Sequence, residues 1–254
     1  MNGMKVLVTF ALENEFSPWR RMRGFRRVAT EPSLYEAQIG STEICAVLTG
    51  IGPQHARRAL QIALNNGANF CVATGLAGAL QLRHRIGDVL VAQTVRGASG
   101  ECLVQSDADL LHAAVECGAR EVTAFHSSDR TVLTAKEKGR MAFSADAVEM
   151  EGFTILTEAQ GLRVPAVAVR AIGDTATQDL PFDFNRTVGP KGRISIPRVF
   201  GQLVRNPHRL PGLIRLGRDT QRAAISLARF LDHYVQMLAA VRNPASVHEE
   251  VAVG

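Results

Sequence analysis

Two stretches, Ser144-Ala-Asp-Ala-Val-Glu-Met-Glu-Gly152 and Ala166-Val-Ala-Val-Arg-Ala-Ile-Gly-Asp-Thr175, decide how this chain reads. The first ends in two close carboxylates, Glu149 and Glu151, at the expected start of a helix running from about Ala147 to Gln160. The second belongs to an apolar strand, expected from Val164 to Ile172, that runs straight into Asp174. Acids at a helix start and at a strand's carboxyl end, about 23 residues apart, fall where an α/β fold places its site.

Upstream, Lys5 to Ala11 is a buried strand by its apolar, β-branched run, and it opens into Leu12-Glu-Asn-Glu-Phe16. Tyr35 to Ile39 and Glu43 to Leu48 read as paired strands, Gln54 to Leu64 as a helix behind Pro53, and Phe70 to Thr74 as a short strand ending in Gly75-Leu-Ala-Gly78. Gly87 to Gln93 and Val122 to Phe125 add strands, with a helix from Asp107 to Cys117 between them. The five arginines from Arg20 to Arg27 read as a solvated helix face or a mobile loop. A final helix is expected from about Thr220 to Val241. Alternating strands and helices call for a mostly parallel or mixed sheet covered on both faces.

At 254 residues the chain can bury a large core, and 46% hydrophobic with 21% charged residues is the balance of a globular protein. No apolar run reaches the roughly 18 residues of a membrane span, and no secretory pattern opens the sequence, so a cytoplasmic location is the expectation. The four cysteines lack metal-ligand spacing and are expected as reduced core or near-core thiols. The net charge of +5 is unevenly placed. From Arg186 to Arg229, ten basic residues against Asp219 give +9, leaving about −4 elsewhere. Such local basicity suits an anionic surface or ligand rather than nucleic acid.

Motif spacing narrows the chemistry. Gly50-Ile-Gly52 lacks the third glycine of a dinucleotide fingerprint, Gly75-Leu-Ala-Gly78 has the wrong spacing, and there is no P-loop. No H-E-x-x-H or Cys/His cluster suggests a metal, so no metal and no cofactor are expected. What remains is a set of strand ends carrying glycines and carboxylates: Glu13 and Glu15, Gly50-Ile-Gly52, Gly75-Leu-Ala-Gly78, Glu149-Met-Glu151 and Asp174. Taken singly, an acid at a helix start complements the helix dipole and an Asp after a strand caps a turn.

Together these stretches resemble the nucleoside phosphorylase superfamily, most of all its methylthioadenosine/S-adenosylhomocysteine nucleosidase branch. The matching segments are Met4 to Glu15, Thr49-Gly-Ile-Gly52, Ala73 to Ala79, Gly87 to Val91, Val148-Glu-Met-Glu151 and Val169-Arg-Ala-Ile-Gly-Asp174, in the family's order. The resemblance implies a three-layer phosphorylase/hydrolase-like α/β fold with a central mixed sheet flanked by helices, in one domain spanning 1–254 that pairs as a homodimer. It implies that Asp174 is the acid at purine N7, that Glu15 activates the attacking water, and that Glu151 grips the ribose hydroxyls while Met150 packs on the sugar. Leu76, Ala77, Gly78, Ile51 and Val132 complete the implied substrate-binding set, and Glu149 reads as a bystander. Water or phosphate is the co-substrate.

The departures carry information. Leu76 stands where nucleosidases have a small hydroxyl residue, Ala73 where related phosphorylases have a phosphate-binding Arg, and Gly173 where a Ser is common. Asp129-Arg-Thr-Val132 brings no aromatic residue over the base. The changes at Leu76 and Ala73 argue against the usual phosphate site and favour hydrolysis, with Arg20, Arg21, Arg23 and Arg57 left as stand-in phosphate ligands. A basic amphipathic insertion at about 186–219, with Ile196, Val199, Phe200, Leu203 and Val204 on one face, has no counterpart in compact nucleosidases. Leu180-Pro-Phe-Asp-Phe184 and Arg205 to Gly212 resemble the hopanoid-associated phosphorylases, which implies adenosylhopane as a lipid-linked substrate and peripheral contact with an anionic membrane. The alternatives are hydrolysis of methylthioadenosine, S-adenosylhomocysteine or futalosine, and a non-catalytic nucleotide- or membrane-binding protein.

Overall fold

In the computed structural model, residues 4–186, 189, 192 and 206–241 are described. In chain order they form β1 (Met4–Phe10), α1 (Glu13–Arg23), β2 (Arg26–Thr30), β3 (Ser33–Ile39), β4 (Thr42–Leu48), α2 (Pro53–Ala63), β5 (Phe70–Ala73) and β6 (Leu76–Ala79). Then come β7 (Val89–Arg96), β8 (Leu103–Gln105), α3 (Ala108–Glu116), β9 (Arg120–Ser127), α4 (Ala135–Met141), β10 (Ala147–Glu149), α5 (Gly152–Gly161), β11 (Ala166–Asp174) and α6 (Leu210–Val241).

The strands join in the order β2-β3-β4-β1-β5-β11-β6-β10-β9-β7-β8, and β7 also pairs with β11. The pairings β11–β6, β6–β10, β10–β9, β9–β7 and β7–β11 therefore close a ring of five strands at one end of the sheet. β1 runs parallel to β4 and β5, while β3 is antiparallel to β4, so the sheet is mixed. The expected central mixed sheet flanked by helices is borne out.

Strand alternation divides the core between the two faces. Val6, Val8 and Phe10 of β1 and Val167, Val169 and Ala171 of β11 point to one side, where Phe16, Trp19, Leu110 and Leu227 from α1, α3 and α6 cover them. Leu7, Ala166, Ala168 and Ile172 point to the other, against Ala56 and Leu60 of α2 and Ile155 and Leu156 of α5. The same alternation sends Arg170 to the second side, where an arginine is tolerated only if its charge is met.

Several expectations change. The helix expected from Ala147 begins only at Gly152, because Ala147–Glu149 first pairs in parallel with Phe125–Ser127 of β9. The glycine-bearing stretch after β5 is not a loop: Leu76–Ala79 inserts as β6 between β11 and β10. The final helix begins at Leu210, ten residues before the expected Thr220, since Pro211 falls in its first turn, where a missing N–H costs nothing. The arginine cluster is the solvated face expected, with Arg21, Arg23, Arg26 and Arg27 exposed, and it is not a loop. It ends α1 and begins β2, with Trp19 fully buried among Phe10 and Phe25. Cys45 and Cys71 are buried, but Cys102 is exposed rather than near-core. Of the insertion at 186–219, residues from Leu210 onward belong to α6, and the face carrying Ile196, Val199, Phe200, Leu203 and Val204 lies outside the described residues.

Candidate active site

The carboxyl ends of β1, β10 and β11 converge with the start of α1 and with β6 on one cavity of about 340 Å³. Glu15, Ile51, Leu76, Ala77, Gly78, Val132, Met150, Glu151 and Asp174, the nine residues singled out from sequence, all line it. A larger cleft of about 800 Å³ adjoins across Ala11, Leu12 and Asn14, and none of Glu15, Glu151 or Asp174 lines it. The smaller cavity is where the chemistry can occur.

Two of the carboxylates, Glu15 and Glu151, are held by backbone N–H groups. Glu15, in the first turn of α1, accepts N–H bonds from Ala11 and Leu12 at 3.0 and 3.1 Å and a longer one from Leu76 at 3.4 Å. Burial pushes its pKa up, opposed by these N–H donors and by the Arg170 charge. A Cβ on Gly75, whose φ is +142°, would sit 3.3 Å from the Glu15 carboxylate, so a glycine permits this approach twice over. Glu151 is the residue before α5 and accepts 2.7 Å from the Gly52 N–H at the head of α2. Burial, reinforced by neighbouring Glu149, pushes its pKa up to about 8.

Glu149 is not a bystander. It forms a fully buried ion pair with Arg170, and its Oε2 also accepts from the Glu151 and Gly152 N–H groups at 3.1 and 2.7 Å. Arg170 anchors further on the Ala73 and Val169 carbonyls at 2.6 and 3.0 Å. The pair thus fixes the β10–α5 turn, and with it Met150 and Glu151, against the middle of the sheet. Thr131 lies 3.8 Å from the Met150 sulfur and is itself tied to Asn185 at 2.7 Å, which closes the cavity on the Val132 side.

Asp174 ends β11 at a bulge in its pairing with β6. A Cβ on Gly78 would lie 3.0 Å from its Oδ2, so any side chain there would press on the carboxylate. Lys138 of α4, fully buried, donates to that same Oδ2 and to the Thr175 and Gln178 carbonyls at 2.8 and 3.0 Å. Burial raises the Asp174 pKa while the Lys138 ammonium opposes the rise. Sequence reasoning passed over Lys138. Only its helix was signalled: Thr134-Ala-Lys-Glu137 is a capping box, with Glu137 N–H bonded to Thr134 Oγ1 at 3.1 Å, which marks the start of α4 but not which of its lysines turns inward.

The apolar wall comes from Leu12, Ile51, Leu180, Phe184 and, on α6, Leu213 and Leu216. None of the four arginines considered for phosphate lines the cavity. Arg20 pairs with Glu13, Arg21 donates to Ser17, Arg23 forks onto Asp232, and Arg57 binds Glu158. Arg130 lines it, paired with Glu137 at 2.8 Å.

With this geometry in view, the relationships of the chain are clear. Residues 5–205 match the model of the phosphorylase superfamily. The chain belongs to that superfamily and is an enzyme acting on nucleosides. It is 26% identical to an aminodeoxyfutalosine nucleosidase of Campylobacter jejuni, over 76% of this chain and 95% of the relative. It is 28% identical to a 5′-methylthioadenosine/S-adenosylhomocysteine nucleosidase of Colwellia psychrerythraea, over 60% of this chain and 75% of the relative. The fold is that of the Helicobacter pylori 5′-methylthioadenosine/S-adenosylhomocysteine nucleosidase, with a TM-score of 0.73 at 18% identity, covering 93% of this chain and 100% of that one.

An acid whose pKa rises on folding keeps a proton that the unfolded chain has released. The stability tied to Glu151 is therefore complete below the ordinary carboxyl value of 4.5 and is lost as pH rises through about 8. The thermal midpoint should fall between about pH 5 and pH 8, and Glu151→Gln should flatten that decline. An equal slope in parent and variant would mean that Glu151 titrates as an ordinary carboxylate.

Proposed function

We propose that the enzyme hydrolyses the N-glycosidic bond of a 5′-substituted adenosine and releases adenine. The observation that carries this reading is the placing of two buried carboxyl groups, Glu15 and Asp174, on one cavity together with Glu151 and Met150. Cleavage of such a bond develops positive charge on the sugar and negative charge on the departing base. Asp174, whose pKa burial raises against the pull of Lys138, serves as the acid at purine N7, and an ionised Glu15 accepts the proton of the attacking water. Glu151 takes the ribose hydroxyls, and Met150 packs on the sugar. The names of the Campylobacter and Colwellia relatives support a nucleosidase rather than a binding protein.

Water is favoured over phosphate because the arginines proposed as its ligands are engaged elsewhere. Asp174→Asn should lower kcat by about 10²-fold or more with the circular dichroism spectrum unchanged. The parent should release adenine in phosphate-free buffer. A strict requirement for phosphate would replace hydrolysis by phosphorolysis.

For the 5′ group we favour an apolar lipid, with adenosylhopane as substrate. Support comes from the wall formed by Leu180, Phe184, Leu213 and Leu216, which offers hydrocarbon contact beside Ile51. The second reading, hydrolysis of methylthioadenosine, S-adenosylhomocysteine or a futalosine, has equal support from the relatives' names. Leu213→Gln and Leu216→Gln separate the two. Under the lipid reading they raise KM for a long-chain 5′-alkyl adenosine about tenfold and leave methylthioadenosine within about twofold. An equal response to both substrates favours the second reading.

A lipid-linked substrate also suits peripheral attachment to an anionic membrane. Arg209, Arg215 and Arg218 lie near exposed Leu210 and Ile214 at the head of α6, in the arrangement expected of a surface-binding helix. Among the described residues no helix is long and apolar enough to cross a membrane. Replacing the three arginines by Glu should abolish co-sedimentation with phosphatidylglycerol vesicles at low salt. Equal sedimentation of parent and variant would remove this surface from the proposal.

A further inference from the structure

The most unusual group in the cavity is Lys138. A lysine is rarely fully buried, and here its three ammonium donors are all committed: to Asp174 Oδ2 and to the Thr175 and Gln178 carbonyls. Its helix is fastened on both sides. Thr134 and Glu137 form its capping box, the Ala135 N–H donates to Asp179 at 2.7 Å, and the Leu180 N–H donates to the Leu133 carbonyl at 2.8 Å. The turn that follows β11 is thereby wrapped onto α4. Asp174 Oδ1 receives no hydrogen bond from the described residues, whereas Oδ2 is held between Lys138 and the surface of Gly78.

We propose that Lys138 is the positioning residue for the acid: it pins Oδ2 of Asp174, leaves Oδ1 to face the base, and stabilises the carboxylate formed when the proton departs. The inference rests on the reading of Asp174 as the acid of N-glycosidic cleavage. In that step the Oδ1–H bond breaks as the N7–H bond forms, and the electron pair of the C1′–N9 bond moves into the purine. The sugar cation is captured by water, whose proton passes to Glu15. A full negative charge is left on Asp174 against the Lys138 ammonium in a desolvated site, where opposite charges interact strongly. Held without a cation, the same carboxyl would keep its proton more readily and give it up more reluctantly.

The test is a set of pH–rate profiles for adenine release by Lys138→Met, Lys138→Gln and Lys138→Arg. Activity needs a protonated Asp174, so it declines on the alkaline side as that group ionises. Loss of the lysine charge should lower kcat about 10- to 100-fold with KM within about threefold, and should move the alkaline limb up by about one pH unit. Lys138→Arg should keep the limb near the parent's, and ethylamine should restore part of the activity of Lys138→Ala. An unmoved limb in both uncharged variants overturns the proposal, as does a loss confined to KM. Failure of both uncharged variants to fold would also count against it, since Lys138 would then be a strut. Asp174→Asn keeps the two ideas apart. If that variant stays active the function reading fails, whereas an inactive Asp174→Asn beside an unmoved Lys138→Met limb removes only the role of Lys138.

Discussion

The buried ion pair between Arg170 and Glu149 is the constraint on which the site depends. Both side chains are almost wholly excluded from solvent, so each charge would be costly without the other. Their geometry leaves little freedom. Arg170 is fixed in β11 by two carbonyls, and Glu149 is fixed in β10 by two N–H groups of the following turn. A turn so constrained can hold Met150 over the cavity and aim Glu151 at the Gly52 N–H across the sheet. Replacing the pair by hydrocarbon could preserve stability, but it would release the turn that sets those two side chains.

The pair also governs protonation. Around the cavity stand four carboxylates, Glu15, Glu149, Glu151 and Asp174, and two fully buried cations, Lys138 and Arg170. Each cation has one close carboxylate, which leaves Glu15 and Glu151 to be satisfied by N–H groups alone. Desolvation with too little positive charge nearby is why both are pushed toward the neutral form, and why Asp174 rises despite its lysine. A site with surplus acid is well matched to a reaction that creates a sugar cation.

Much of this was legible from sequence wherever periodicity and termini coincide. β1 and β11 are long, β-branched and apolar, so the acids at or just past their carboxyl ends, Glu13, Glu15 and Asp174, stand out from pattern, and the family resemblance singles out Glu15 from Glu13. β6 could not, because Leu76-Ala-Gly-Ala79 has the composition of a turn and becomes a strand only between β11 and β10. The role of Glu149 was hidden for a related reason. Its partner Arg170 lies inside an apolar strand, and which face it takes follows from register with β5 and β7 rather than from its neighbours in the chain. Lys138 sat in a polar run, Ala135-Lys-Glu-Lys-Gly-Arg140, where nothing distinguishes an inward lysine from a solvated one.

The same surplus of acid bears on the choice between water and phosphate. A phosphate ion entering the cavity would bring negative charge into a desolvated site already short of positive charge, and would push Glu15 further from the ionised form a base needs. A site built for it needs a cation free to fork onto its oxygens. Arg170 is spent on Glu149 and two carbonyls, Lys138 on Asp174 and two more, and Arg130 on Glu137. Water carries no charge into this environment, and only its proton must leave, toward a carboxylate whose raised pKa makes it a better base than an exposed one. The electrostatics that burial imposes on the carboxylates thus favour hydrolysis on the same grounds that they favour cleavage.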